Sequence, residues 1–383
     1  MKKIWIVPAA VVLASVVTVS FTYRETKSEE TSITQETPEN EEATEEMAAP
    51  DVDGTEDALD ENGDALSSEE VSDESGRVDA SQPVTRGARI AVVSKCTKGE
   101  FWNKIQEGME AALQDVNDAY GFSKDDKLTM TFEGPKDEKD VETQINTLDA
   151  VVAENPNVLC MSASDMESCT AQLESAHENG IPVVVFDSML EDMNLVSAYR
   201  STDNYNAGAT AAEKMAEALN GSGNVVIFSA QEKSSTVRDR IRGFQDTIKS
   251  HDGITITDIL YEDQVEDINA SISEYMEQTD NLAGVYCTNY VVAEAYLAVA
   301  PEENAPVLIG TDGSSAQIDA IRDGREYGTV SQNPYEMGYT TMLTAVDLLK
   351  LPGTVSIEQE ELLPVAWLDA SNVEDEANSA YRY

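Results

Sequence analysis

Histidine is nearly missing: His177 and His251 are the only two in 383 residues. No metal site or catalytic triad built on histidine is therefore expected. Cysteine is also sparse. Cys96, Cys160, Cys169 and Cys287 form no C-x-x-C pair and no zinc spacing. Cys160 and Cys169 span a strand end and the next helix. They are either buried free thiols, which the pattern favours, or a disulfide. Basic residues number 25 against 73 acidic ones, for a net charge of −48. That balance excludes nucleic acid as a partner. No G-x-S-x-G elbow, H-E-x-x-H or P-loop occurs, so no enzyme and no cofactor are expected.

What is present begins with Lys2 and Lys3, followed by an apolar run from Ile4 to Tyr23 of about 20 residues. It is long enough to span a bilayer, with the basic residues kept inside and the bulk of the chain exported. The weak Thr18-Val19-Ser20 site, and the lack of a cysteine just after the run, favour an uncleaved anchor over a cleaved signal peptide. Residues 1–24 are thus assigned as signal anchor or signal peptide. Residues 25–86 form an acidic linker. From Glu25 to Gln82 there are about 21 Asp and Glu against Lys27 and Arg77, a composition expected to be disordered and extended. Asp60-Glu61-Asn62-Gly63-Asp64 fails as a calcium loop, because Ala65 and Val71 stand where the glycine and the bidentate Glu belong.

From Arg89 the chain alternates strand and helix. Arg89–Ser94 is a strand and Lys95–Glu100 a polar loop. Phe101 opens a helix carrying Ile105, Met109, Ala112 and Val116 on one face. Phe101 and Trp102 are either ordinary core rings or an aromatic face at a cleft mouth. Val183–Phe186 is an unbroken apolar run suited to a strand buried on both faces, opened by Pro182 and ended by Asp187-Ser188. Leu195–Tyr199 reads as the next strand, leading to Ser201-Thr202-Asp203-Asn204. After Asn204 the plan repeats, with strand ends at Asn289, Asp312 and Gln332, and Arg238 near a helix start. The fold class is α/β: two similar doubly wound parallel-sheet lobes. A cleft between them would be walled by Asp187, Asn289, Asp312, Gln332 and Arg238. Such donors and acceptors suit vicinal hydroxyls, though each Asp or Asn could equally cap a helix.

These motifs, in this order, resemble those of the ribose- and galactose-type sugar-binding proteins of bacterial ABC importers. The resemblance runs from about Arg89 to Val373. It rests on the aromatic pair Phe101-Trp102, on Asp187, on Arg238 six residues before Phe244 of a Gly-Phe pair, on Asn289, on Asp312-Gly313 and on Gln332. It implies a type I periplasmic-binding-protein fold whose lobes are joined by a three-crossing hinge, near Asp203, Gln332 and Glu358–Leu362. Lobe one is then 87–203 plus about 333–360, and lobe two 204–332 plus about 361–375. A further second-lobe aromatic of the family would fall at Asp263 or Gln264, so one stacking wall is missing unless Tyr261 substitutes. Ser188 stands where ribose binders have Arg, and the first loop carries Lys95, Lys98 and Glu100. A polyol-type ligand is expected, with ribose itself in doubt. Asp187 and Asp312 as a glycosidase pair is set aside, because the family uses such residues for binding.

The expected function is an extracytoplasmic receptor that delivers a monosaccharide or polyol to an ABC permease. The alternative is a sensing subunit tethered to the outer face of the membrane through residues 4–23 and docking on a sensor kinase ectodomain. A repressor of the same fold would need an amino-terminal helix-turn-helix and a basic surface, and this chain has neither.

Overall fold

The computed structural model describes residues 77–301 and 303–383. The expected membrane segment, most of the acidic linker and the calcium-like stretch lie outside the described residues. No described helix is long and apolar enough to cross a membrane.

Two six-stranded sheets organise the chain. The first contains β1 (Arg89–Val93), β2 (Thr129–Glu133), β3 (Val158–Met161), β4 (Val183–Phe186), β5 (Ala198–Thr202) and β11 (Glu360–Leu363), in the order β11-β5-β4-β3-β1-β2. All its pairings are parallel. The second contains β6 (Ser222–Ser229), β7 (Gly253–Tyr261), β8 (Leu282–Cys287), β9 (Val307–Thr311), β10 (Gly328–Ser331) and β12 (Ala366–Asp369), in the order β12-β10-β9-β8-β6-β7. The orders correspond position for position. The difference lies at the edge, where β12 runs antiparallel to β10.

Side-chain alternation splits each sheet between two cores. In β1, Ile90 and Val92 face α1 (Glu100–Ala119) and α9 (Pro334–Asp347). Ala91 and Val93 face the opposite layer, with Leu148 of α2 (Val141–Ala153) and Leu173 of α3 (Thr170–Glu178). The central strands β3 and β4 are buried throughout, as continuous apolar runs require. One helix pair in each lobe packs backbone to backbone. A Cβ on Gly108 of α1 would collide with the Tyr335 carbonyl of α9. In lobe two, a Cβ on Gly208 of α4 (Asn204–Ala218) would collide with the Arg240 carbonyl of α5 (Ser235–Ile248).

The chain passes between lobes from β5 to α4, from β10 to α9, and from β11 to β12. The third passage uses Pro364 and Val365, after the expected Glu358–Leu362, because residues through Leu363 complete the first sheet opposite Thr202. The fifth strand also falls later than Leu195–Tyr199: Arg200, Ser201 and Thr202 are held in the ladder by β11. At the other end, residues 77–86 are packed rather than linker-like. Val84 is buried and bridges to Lys350, Thr85 N–H donates to the Leu349 carbonyl (3.1 Å), and the Tyr120 hydroxyl donates to the Gln82 carbonyl (2.6 Å). All four cysteines are buried free thiols, and burial pushes Cys160 and Cys169 up to about 12.

Glu326 is buried beside Gln317, whose amide donates to it at 3.1 Å. Burial raises its carboxyl from the ordinary 4.5 to about 8. The native state therefore holds this proton more tightly than the unfolded chain. The stability it supports is full below 4.5 and is lost as pH rises toward about 8. Glu326→Gln should gain in Tm relative to the parent between about pH 5 and about pH 8.5, as read by thermal melting. A pH-independent difference would show that Glu326 is ionised in the fold.

Candidate functional site

The carboxyl ends of both sheets face one cleft, the usual ligand position of open α/β folds. The chain leaves each sheet at the corresponding point through an aspartate in the left-handed backbone region: Asp187 after β4 (φ 56°) and Asp312 after β9 (φ 84°). Seven non-glycine residues among those described adopt this conformation, and Asp187 and Asp312 are the two of them that line the cleft cavity. Asp187 Oδ2 accepts from Ser188 Oγ (2.8 Å) and Ser162 Oγ (3.2 Å). Asp312 accepts from the Tyr290 backbone N–H (2.9 Å) and from Gln332 Nε2 (2.6 Å). Gln332 Oε1 in turn accepts from Thr202 Oγ1 (2.7 Å), which ties together two of the three passages between lobes.

Between the aspartates lies a narrow cavity of about 20 Å³, little more than room for one water. Phe101, Trp102, Asp187, Asn289, Asp312 and Gln332 all line it, so six of the eight residues singled out from the sequence converge there. Phe101 and Trp102 belong to the lobe-one core and also face the cavity, edge to face at 5.2 Å. The two alternatives posed for them are thus not exclusive. Asn289 is likewise both cap and lining: its Oδ1 accepts from Val292 N–H (3.1 Å) at the start of α7 (Tyr290–Val299).

Arg238 and Gln264 lie elsewhere. Arg238 points outward, with Nη1 3.2 Å from Met166 Sδ. Two residues further along α5, a rotation of about 200°, Arg240 is buried and lines the cavity. Its Nε donates to Asn204 Oδ1 (2.8 Å) and its Nη1 to the Thr288 carbonyl (2.7 Å). The useful signal was burial against α4 at Gly208, rather than spacing from Gly243-Phe244. Gln264 is exposed and donates to Glu232 Oε2 (2.7 Å). The inward residue of that turn is Glu262, buried and bonded to Gln231. Burial, reinforced by the charge of Glu138, raises Glu262 to about 7. Tyr261 lines an outer groove with Met166 and Met189.

Two further cavity residues escaped the sequence reading as site groups. Lys95, 3% exposed, donates to Ser188 Oγ (2.9 Å) in lobe one and Ser234 Oγ (3.1 Å) in lobe two. Its Nζ lies 3.8 Å from Asp187 and 3.9 Å from Glu138. Glu138 accepts from Trp102 Nε1 (2.8 Å). Burial raises the Glu138 carboxyl, against the opposing pull of Lys95 and Trp102. The lobes also meet at the rim. Glu100 accepts from Ser315 N–H (2.7 Å) and Oγ (2.8 Å), the Met189 N–H donates to Ser235 Oγ (2.8 Å), and Lys233 pairs with Asp165 (3.5 Å). Among the described residues, no cluster of His, Cys, Asp and Glu could hold a metal ion.

Two α/β lobes closed over a polar, aromatic-edged cavity define a two-lobed solute-binding architecture. The periplasmic binding protein domain matches residues 90–353, and the chain belongs to that family. It is 23% identical to the D-allose-binding periplasmic protein of Escherichia coli K12, over 71% of this chain and 88% of that one. It is 22% identical to a D-ribose/D-allose-binding protein of Pseudomonas aeruginosa, over 68% and 82%. Among solved structures, an Agrobacterium vitis ABC transporter solute-binding protein with bound α-D-tagatopyranose matches at a TM-score of 0.70. It is 23% identical and covers 77% of this chain and 99% of its own. A Bacillus halodurans solute-binding protein with bound myo-inositol matches at 0.65 with 18% identity, covering 78% and 99%. The first two are named as sugar-binding proteins and the last two as ABC transporter solute-binding proteins.

The two arginines make opposite predictions. Arg238→Ala should leave the denaturant midpoint essentially unchanged. Arg240→Ala strands the Asn204 and Thr288 oxygens and should cost about 1–3 kcal/mol. Equal midpoints for the two variants would remove Arg240 from its assigned place.

Proposed function

We propose that this chain is an extracytoplasmic receptor that captures a monosaccharide or related polyol between its lobes, closes on it and delivers it to an ABC permease. The carrying observation is the opposed pair Asp187 and Asp312, each forced into the left-handed region and aimed at one cavity. Each fixed carboxylate can accept from two vicinal hydroxyls, while Arg240, Asn289 and Gln332 supply donors at the same rim. Phe101 and Trp102 offer apolar faces for the C–H side of a ring. Glu138, Asp187 and Asp312 line the space together with Lys95 and Arg240, three acidic groups against two basic ones. A sugar phosphate or uronic acid would add a further negative charge beside Asp187 and Asp312, so an uncharged ligand is the one proposed. The ligands named for the relatives are neutral sugars and polyols, in agreement with that charge argument.

A second reading, a tethered subunit that presents its closed form to a sensor kinase, draws on the apolar run Ile4–Tyr23. Co-purification from membranes with a permease, or instead with a kinase, separates the two.

Thermal melting against D-allose, D-ribose, xylitol, myo-inositol, ribose 5-phosphate and glucuronate tests the ligand class. A neutral ligand at a hundred times its Kd should add about 2.7 kcal/mol, a shift of several degrees, and the two anions should add nothing. Asp312→Asn should weaken binding of the hit by roughly tenfold or more, as expected for a lost charged hydrogen bond. No shift with any neutral polyol, or a shift with the anions alone, would overturn the reading.

A further inference from the structure

The second-lobe aromatic expected near Gln264 is absent from that turn, yet an aromatic from lobe two does reach the cleft residues by another route. After β12 the chain continues through a 3₁₀ turn, Glu376–Tyr381, to Tyr383. This segment is fastened to lobe two. Ser331 Oγ donates to the Tyr381 carbonyl (2.6 Å), Tyr383 N–H donates to the Gly313 carbonyl (2.9 Å), and Arg382 Nη1 donates to the Val373 carbonyl. It crosses the Asp312-Gly313 turn so closely that a Cβ on Gly313 would collide with the Tyr381 carbonyl.

From that anchorage the Tyr383 ring leaves lobe two and packs on the aromatic core of lobe one, 5.9 Å from Phe101 and tilted by 58°. Its hydroxyl is buried and within hydrogen-bonding reach of the Asp312 side chain. It lies beside Asp312, whose charge adds to burial in holding the phenol protonated. Tyr383 therefore touches one cavity residue from each lobe: Phe101 through its ring and Asp312 at its hydroxyl. The contact is reinforced one residue earlier. Glu100, which precedes Phe101, is bound by Ser315 of lobe two, and Ser315 Oγ also lies 3.4 Å from the Tyr383 carbonyl.

We propose that Tyr383 is a positioning residue of the cleft, holding Phe101 and Asp312 in their closed-state places and setting ligand affinity through the stability of the closed form. The proposal rests on the cleft being the ligand site. It assigns to the carboxy-terminal segment the inter-lobe aromatic contact that the Glu262–Gln264 turn does not make. Removing the ring leaves Phe101 without its lobe-two neighbour, so closure loses an apolar contact that the open form does not have. Apparent affinity then falls with the closed fraction.

The test uses the full-length protein with spin labels at Glu110→Cys and Asp319→Cys, exposed positions on α1 and on α8 (Ser315–Arg322). Inter-label distances are measured with and without D-allose, and D-allose Kd by calorimetry. Tyr383→Ala should shift the distances without sugar toward longer values than the parent's, and raise Kd about tenfold, mostly through faster dissociation. Tyr383→Phe should keep the parent's distances, because the ring remains; distances as long as those of Tyr383→Ala would overturn the assignment of closure to the ring. Tyr383→Leu replaces Tyr383→Ala if the latter does not fold. Phe101→Ala combined with Tyr383→Ala should cost less than the sum of the two single changes. Distances and Kd both unchanged in Tyr383→Ala would overturn the proposal. If the parent binds no D-allose, the distance arm alone decides, so failure of the sugar reading stays separate from failure of this one.

Discussion

One buried ammonium holds the closed cleft together. Lys95 sits between Ser188 of one lobe and Ser234 of the other, within 4 Å of two carboxylates. Carboxylates withdrawn from water cost several kcal/mol each unless a countercharge and donors go with them. Asp187 and Glu138 are both withdrawn from water between the lobes, and Lys95 is the cation that accompanies them. The Trp102 N–H serves the remaining demand of Glu138, which also fixes the indole edge against Phe101. Arg240 plays the corresponding part in lobe two, spanning Asn204 and Thr288. The contacts that satisfy these buried groups are also contacts between the lobes.

The architecture explains why the two halves solve the problem alike. Both sheets use the same strand order, and both place an aspartate directly after the corresponding strand. Both use a glycine-lined helix crossing at the inter-lobe passages: α1 on α9, and α4 on α5. That crossing brings the α5 backbone against Gly208, and so puts the Arg240 side chain under the cavity rather than on the surface.

Much of this was legible in the chain. Unbroken apolar runs such as Val183–Phe186 can only be central strands, and polar residues just past such runs must sit at the cleft edge. That rule places Asp187, Asn289, Asp312 and Gln332 at strand ends, while helix capping is an equal reading for each Asp and Asn and the family resemblance is needed to group them. Helical positions were harder, because two residues along a helix reverse direction: Arg238 and Arg240 differ in sequence context only slightly and in burial completely. The Glu262–Gln264 turn is too short to carry a periodicity, so its inward member could not be told from its neighbours. Lys95 looked like an ordinary loop lysine, since its burial depends on a serine 139 positions away. The packing of residues 77–86 was hidden for a similar reason. Its partners, Leu349 and Lys350, belong to the far end of lobe one.

The three passages between lobes lie together at the base of the cleft, and the Thr202–Gln332–Asp312 chain of hydrogen bonds runs through that base. A body that pivots there behaves as a pair of levers. Small changes of backbone angle at Asp203 or Asn333 become large displacements at the tips, where Glu100 faces Ser315 and Lys233 faces Asp165. Those tip contacts are partly solvated, so each adds little energy. The cavity side chains lie deep between the lobes, and the rim contacts carry their arrangement out to the protein's surface.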